Sequence, residues 1–546
     1  MLDFRVTSFP RRPHSRRMIR LFFGAATLVA ASLTASAGGD DLSLVGALHE
    51  PAAEVHGDQA QLLQLVQTGQ GDEAFELAFE TGDSLFETLF NALDGVGANV
   101  GNGQRFTRTP RADLDGAMEW ANHLPARATG PNAESCNSCH RTPGDDGSGF
   151  AVDNVHRDPL HRGRFSAFIE RNTPHLFGEG GVQRLAEEMT AKLQGIREDA
   201  SREAARVHHP VTRDVEAKGV RFGRITAFPG GGFDSSDIEG IEHDLVVRPF
   251  QWKGSVAFLR DFNRGAAHNE IGMQAVELVG EHVDGDGDGV RDEMTVGDMT
   301  SLAVYIAAQP RPTTLVELDE LGLLEPPLGA DEKAAIGRGE DVLSRLGCAR
   351  CHTPQLLLDD AVFQEPSASR DFRDRRFPAG QDPMALGVDP RNAVRFDLTA
   401  DQPDNHVTLP NGKEFALGSF EKDARGRAVV ALYGDLKRHD MGRGLAESID
   451  EVGSGASSFL TENLWGVGSS APYLHDGRAT TVTEAILEHG GDARRAREAF
   501  EAAPLGDQQD LIAFLQNLVL FKNSEPAAFR GNGHHIRGAP PVRSHD

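Results

Sequence analysis

Positive charge, cysteine and long apolar runs are all scarce in this chain, and each shortage narrows what it can do. Only 55 Lys and Arg stand against 82 Asp and Glu, a formal net charge of −27. That balance argues against nucleic acid or an anionic membrane surface as a partner, because both attract basic patches. Past residue 37, no segment supplies the roughly 18 uncharged apolar residues that a membrane-spanning helix needs. Cysteine occurs four times in 546 residues. Glycine and proline are plentiful, 60 and 28, so turns and long loops should surround a modest amount of regular structure. A chain of this length exceeds the roughly 250–300 residues at which single cores stop growing, so two or more domains are expected.

The first 37 residues read as an export signal. Arg11, Arg12, Arg16, Arg17 and Arg20 form a basic start, LFFGAATLVAASLTASA follows, and Ala35-Ser36-Ala37 is an A-x-A cleavage pattern. The mature protein is therefore expected to be exported, periplasmic and soluble. Four cysteines in an exported protein ordinarily suggest two disulfides, but their positions argue otherwise. Cys136 and Cys139 lie in CNSCH, and Cys348 and Cys351 in CARCH. Two cysteines three positions apart can form thioethers to the vinyl groups of one haem, while the adjacent His140 or His352 ligates its iron. Redox dithiols or half-zinc sites with chance histidines are the alternative. Two such motifs that together use every cysteine favour two covalent haems c.

The motifs are far apart, so each should have its own helical domain. DEKAAIGRGEDVLSRLG (331–347) has helical spacing at Ala335, Ile336, Val342, Leu343 and Leu346, and Gly347 as a stop. DQQDLIAFLQNLVLF (507–521) suits a second amphipathic helix crossing it, and AFELAFETGDSLFETLFNAL (74–93) reads as a helix before the first motif. RPTTLVELDELGLLEPPLG (311–329) reads as the connector. The expected organisation is a signal peptide (1–37), an N-terminal haem domain (38–325), a C-terminal cytochrome c domain (326–525) and a flexible tail (526–546). The expected fold is mainly α, two cytochrome c-like domains with long loops and little β structure. Within the first domain, VDGDGDGVRDEMT (283–295) places Asp284, Asp286, Asp288 and Asp292 at positions 1, 3, 5 and 9 of a calcium loop, with Gly289 at the sharp turn. Position 12 is Thr295 rather than Glu, and a solvated Asp-Gly turn is the alternative to a Ca²⁺ site.

The segments ENLWGVGSSAPYLHDGRATTVTEAILEHGG (462–491), CARCHTP, RHDMGRGLAE (438–447) and RPFQWKGSVAFLRDFNRGAAHNEIGM (248–273) resemble the bacterial di-haem cytochrome c peroxidase superfamily, and within it the di-haem oxidoreductase branch. The resemblance implies a reactive N-terminal haem and a C-terminal haem that relays electrons to it. It implies that Trp252 lies between the haems and that Glu270 works on the distal side of the first; plain core and a surface helix position are the respective alternatives. A carboxylate in a confined pocket is also what proton transfer between peroxide oxygens asks for. The resemblance further implies a second ligand for the relay haem at a fixed interval after the His of PY-x-HDG. Here that histidine is His475 and the interval falls on His489, with Met441 the competing candidate. His475 should brace the loop rather than bind iron. The function so implied is peroxide reduction, with electrons from a small donor protein or a quinol-linked carrier and with H₂O₂ or O₂ as oxidant. A di-haem oxygenase of the rubber-oxygenase type and a non-catalytic electron-transfer cytochrome are the alternatives.

Overall fold

Asp58 begins the first helix, Gln59–Gln67, by accepting hydrogen bonds from the Ala60 and Gln61 amides, which satisfies donors that a helix start otherwise leaves orphaned. The next helix, Gly71–Glu87, turns Ala74, Phe75, Ala78, Phe79, Leu85 and Phe86 inward. It lies against Val296–Ala307, every residue of which is buried. The approach is close because Gly82 has no side chain; a Cβ there would stand 2.4 Å from the Ser301 carbonyl oxygen. These elements belong to a computed structural model in which residues 50–53, 55–401, 403–523 and 535–536 are described. The expected signal peptide lies outside the described residues, as does the expected tail apart from 535–536.

Helix outweighs strand, 35% to 14%, yet β structure is commoner than the sequence suggests. Among the described residues it forms small sheets of two or three antiparallel strands. The longest strands, Val211–Ala217 and Val220–Ala227, make a hairpin with a bulge between Asp214 and Glu216. This hairpin follows the 29-residue helix Glu179–Val207. No helix among the described residues is long and apolar enough to cross a membrane.

The largest core joins residues from both sides of position 325. Phe75, Phe79, Phe86 and Tyr305 share it with Phe396, Phe420 and Trp465, and the rings of Phe75 and Phe396 stack with centroids 4.6 Å apart. The described residues from Pro51 onward belong to one unit. The stretch read as a connector is itself packed structure: Leu315, Leu318, Leu323, Leu324 and Leu328 are buried against Val407, Leu417, Val519 and Phe521. Its Thr313–Thr314 strand pairs with Leu518–Val519.

Two further helices frame the second cysteine motif. Ala330–Arg345 ends at Gly347, whose φ of 88° turns the chain into Cys348–Arg350. Leu505–Asn517 crosses it at Gly339, where a Cβ would meet the Asp510 carbonyl oxygen at 2.0 Å and Phe514 Cβ at 2.6 Å. Alanine's better helix propensity returns about 1 kcal/mol, whereas overpacking against backbone costs about 1–3 kcal/mol or more. Gly339→Ala is therefore expected to lower the melting temperature by several degrees; an unchanged melting temperature would show that the helices separate freely.

Candidate haem sites

Both CxxCH motifs fold as one tight turn, Cys136–Ser138 and Cys348–Arg350, and all four cysteines are free. Ser135 caps the first turn, its hydroxyl oxygen accepting from the Ser138 amide at 3.0 Å. Among the described residues, neither pair joins a four-donor cluster of the kind structural zinc needs. The nearest approach is Cys351 with Asp435 and His439, which leaves Cys348 out. His439 is already committed to Asp435 at 2.8 Å.

Backbone carbonyls hold three histidine rings in place. His140 Nδ1 lies 3.2 Å from the Gly147 carbonyl oxygen, His352 Nδ1 3.2 Å from that of Tyr433, and His489 Nδ1 2.7 Å from that of Ala485. A carbonyl oxygen only accepts, so each Nδ1 carries the hydrogen. Burial pushes the pKa of His140 and His352 down to about 4 and that of His489 downward. The rings are therefore neutral; at His352 and His489 the Nδ1 bond fixes the orientation and leaves Nε2 without the hydrogen, while the Pro174 carbonyl also acts on the His140 ring.

The ring centroids of His352 and His489 are 6.4 Å apart. A metal–imidazole bond is about 2.0–2.1 Å and the ring centre lies about 1.1 Å further on, so two imidazoles across one metal stand about 6.3 Å apart. Both rings line a cavity of about 1200 Å³ with Cys348 and Cys351, above the roughly 300–1,000 Å³ of ordinary ligand pockets. The donor set, the separation and the room fit a covalently held haem. His489 is the residue that ends the helix Val482–Glu488. Met441 lines the same cavity, beside Gly490, where a Cβ would come within 2.7 Å of the Met441 carbonyl oxygen.

Trp252 and His475 stand on the cavity wall. Trp252 Nε1 donates to the Asn172 carbonyl at 2.9 Å, and the Asn172 amide donates to the His475 carbonyl at 2.8 Å. The Trp252 and His475 rings meet edge-on at 6.5 Å. His475 stacks on Phe459 at 4.1 Å and is kept neutral by burial, its pKa pushed down to about 3.

Glu270 lies beside the first motif. It sits in a π-helical turn, Ala267–Ile271, a distortion frequent at functional sites. Its own carbonyl accepts from the amides of Asn132 and Ala133, just ahead of Cys136, and its charge bears on the Cys139 thiol. Desolvation raises the Glu270 pKa to about 7 against the opposing pull of Arg157, whose Nη1 is 3.9 Å from Oε1. Oε2 has no hydrogen-bond partner. The preceding helix, Leu259–Ala266, is anchored by buried ion pairs: Arg260 with Glu277 and Glu365 at 2.5 and 2.9 Å, and Arg264 with Glu277 and Asp374 at 2.7 and 3.0 Å.

A second group of charges between these regions escaped sequence reasoning. Arg157 and Arg171 both hold Glu451 at 2.7 Å, Arg171 also holds Glu447, and Lys253 reaches Glu447 at 3.3 Å. Lys253, only 1% exposed, donates to the carbonyls of Gly455, Ala456 and Ser458 and lies 4.0 Å above the Phe459 ring. The available signal was slight: Lys253 follows Trp252, and Glu447 closes RHDMGRGLAE.

At the acidic loop, Asp284, Asp286 and Asp288 converge, one carboxylate oxygen of each lying within 4.8 Å of the others. Asp292, expected as the fourth ligand, instead binds the backbone amide and ring of His282, each at 2.6 Å. Its backbone takes a φ of 56° there, and the three converging carboxylates do not include it. Thr295 caps the helix Val296–Ala307, its hydroxyl accepting from the Asp298 amide at 3.0 Å.

Residues 418–518 match the family model described as "Di-haem oxidoreductase, putative peroxidase", which links the chain distantly to the di-haem oxidoreductases. That span carries Met441, His475 and His489. Among solved structures, hydrazine synthase of Kuenenia stuttgartiensis is similar at 14% identity and a TM-score of 0.32, over 90% of this chain and 100% of its own. A MauG-like protein associated with microbial copper homeostasis is similar at 13% identity and a TM-score of 0.24, over 53% of this chain and 77% of its own. No curated protein matches the chain. The two cysteine pairs are consistent with covalent haem c attachment.

Proposed function

We propose that this is an exported di-haem c enzyme of peroxidase type. It reduces hydrogen peroxide at the site of Cys136, Cys139, His140 and Glu270. Electrons come from a small donor protein or quinol-linked carrier by way of the site of Cys348, Cys351, His352 and His489. When bound, the two haems supply iron-centred electron exchange. Overall, H₂O₂ with two electrons and two protons yields two waters. The chain's own part is to move a proton from one peroxide oxygen to the other, so that the oxygen–oxygen bond breaks with water as the leaving group.

One observation carries this reading. Glu270 presents an unpartnered carboxylate oxygen beside the first motif, with a pKa of about 7. A group balanced between its two protonation states near neutral pH can accept a proton and return it within one cycle. Arg157, 3.9 Å away, steadies the carboxylate form, while the Glu451 and Glu447 network holds Arg157 in place. Trp252, hydrogen-bonded to Asn172 at 2.9 Å, keeps its ring at the wall shared with His475.

The chemically reduced holoprotein, mixed with H₂O₂ in a stopped-flow instrument, is expected to lose two electrons per peroxide. Low-spin haems that ignore both peroxide and cyanide would overturn the reading and leave an electron carrier.

A further inference from the structure

Outside the haem sites, unsatisfied polar atoms gather at the acidic loop. Asp286 is wholly buried. Its Oδ2 accepts from Arg127 at 2.9 Å, and its Oδ1 has no partner. Glu293, 3% exposed, accepts from the Gln274 backbone amide through Oε2 at 2.7 Å, and its Oε1 has no partner. Buried carboxylate oxygens almost always have a partner. These two lie in a loop where Asp284, Asp286 and Asp288 already bring three carboxylates together. The nearby guanidiniums do not complete the set: Arg105 takes Asp288 Oδ2 at 3.0 Å and Arg127 takes Asp286 Oδ2. A hard divalent cation of Ca²⁺ size, which takes 6–8 oxygen ligands at 2.3–2.6 Å, would engage the orphaned Asp286 oxygen together with its two neighbours.

The loop is also tied to the turn that carries Glu270. Arg127, fully buried, donates to the carbonyl of His268 through Nη1 and to that of Gly272 through Nη2 at 2.8 Å, while holding Asp286. Those two carbonyls bracket Glu270. A second tie runs from Gln274, whose Oε1 accepts from the Gly285 amide at 3.0 Å.

We propose that Asp284, Asp286 and Asp288 bind a Ca²⁺-type cation, and that Arg127 passes its presence to the Glu270 turn. The role of that turn rests on the peroxidase reading; the cation site does not. Occupancy would fix Asp286, Asp286 would fix Arg127, and Arg127 would hold the two carbonyls that set the turn.

The test uses holoprotein stripped with chelator and titrated with Tb³⁺, then with Ca²⁺ in competition. One Tb³⁺ per chain is expected to bind and be displaced by Ca²⁺, and binding should weaken at least tenfold in Asp284→Asn/Asp288→Asn. Tb³⁺ binding that ignores both substitutions would overturn the site. In the wild-type chain, hydrogen exchange over residues 266–274 is expected to quicken at least tenfold when Ca²⁺ is replaced by EDTA. Unchanged exchange there would overturn the coupling. Neither readout involves peroxide, so loss of the peroxidase reading would leave both results standing.

Discussion

Glu270→Gln is expected to lower peroxide turnover by a factor of about 10²–10⁴, the usual worth of a positioned general acid–base group. The amide keeps the shape of the side chain but cannot take the proton. In the wild-type chain the folded pKa of about 7 lies above the usual 4.5 because burial disfavours the carboxylate. The proton-accepting form therefore grows as pH rises through 7. The kcat/KM profile should climb across that range in the wild type, and the same limb should vanish in the variant. Stability moves in the opposite sense. A carboxyl whose folded pKa is raised costs nothing below its unfolded pKa and destabilises progressively as pH rises from about 4.5 to about 7. Glu270→Gln should thus melt at a higher temperature than wild type at pH 8, with little difference at pH 4.5. Full peroxide turnover in the variant, with the pH limb retained, would remove Glu270 from the mechanism.

Features encoded over short stretches are legible in the sequence itself. The cysteine turns, the Ala330–Arg345 helix and its glycine stop, and the convergence of Asp284, Asp286 and Asp288 all follow from neighbours along the chain. What resists reading depends on distant partners. Arg127 meets Asp286 across 159 positions and Arg157 meets Glu451 across 294, and no periodicity announces either pair. Asp292 shows the same dependence: spacing names it as a fourth ligand, whereas its partner in the fold, His282, is not announced by the loop pattern. The connector at 311–329 resembles a linker because it is rich in Pro, Gly and acid. Its leucines nonetheless find a core in residues far downstream. Glu270 is visible as a residue type at a suggestive place, whereas its raised pKa exists only because the folded chain encloses it.

His489→Ala is expected to convert the second haem from low-spin, six-coordinate iron to a high-spin form that binds cyanide, seen by absorption and EPR spectra. Taken alone, a histidine closing a helix is economically explained as a positive charge against the helix dipole. The structure removes that explanation, because burial lowers the His489 pKa and leaves the ring neutral. Its Nδ1–H still serves the helix by donating to the Ala485 carbonyl at 2.7 Å, and this same bond fixes the tautomer with Nε2 bare. At 6.4 Å from the His352 ring, the His489 ring meets the spacing two imidazoles need around one metal. His489→Met should retain six-coordination but raise the reduction potential, since a thioether stabilises ferric iron less than an imidazole does. The shift should be a sizeable part of the about 0.8 V over which axial ligands tune haem iron. Met441→Leu provides the opposing case. If Met441 is the ligand, that substitution will produce the high-spin spectrum and His489→Ala will not; the ring geometry predicts the reverse.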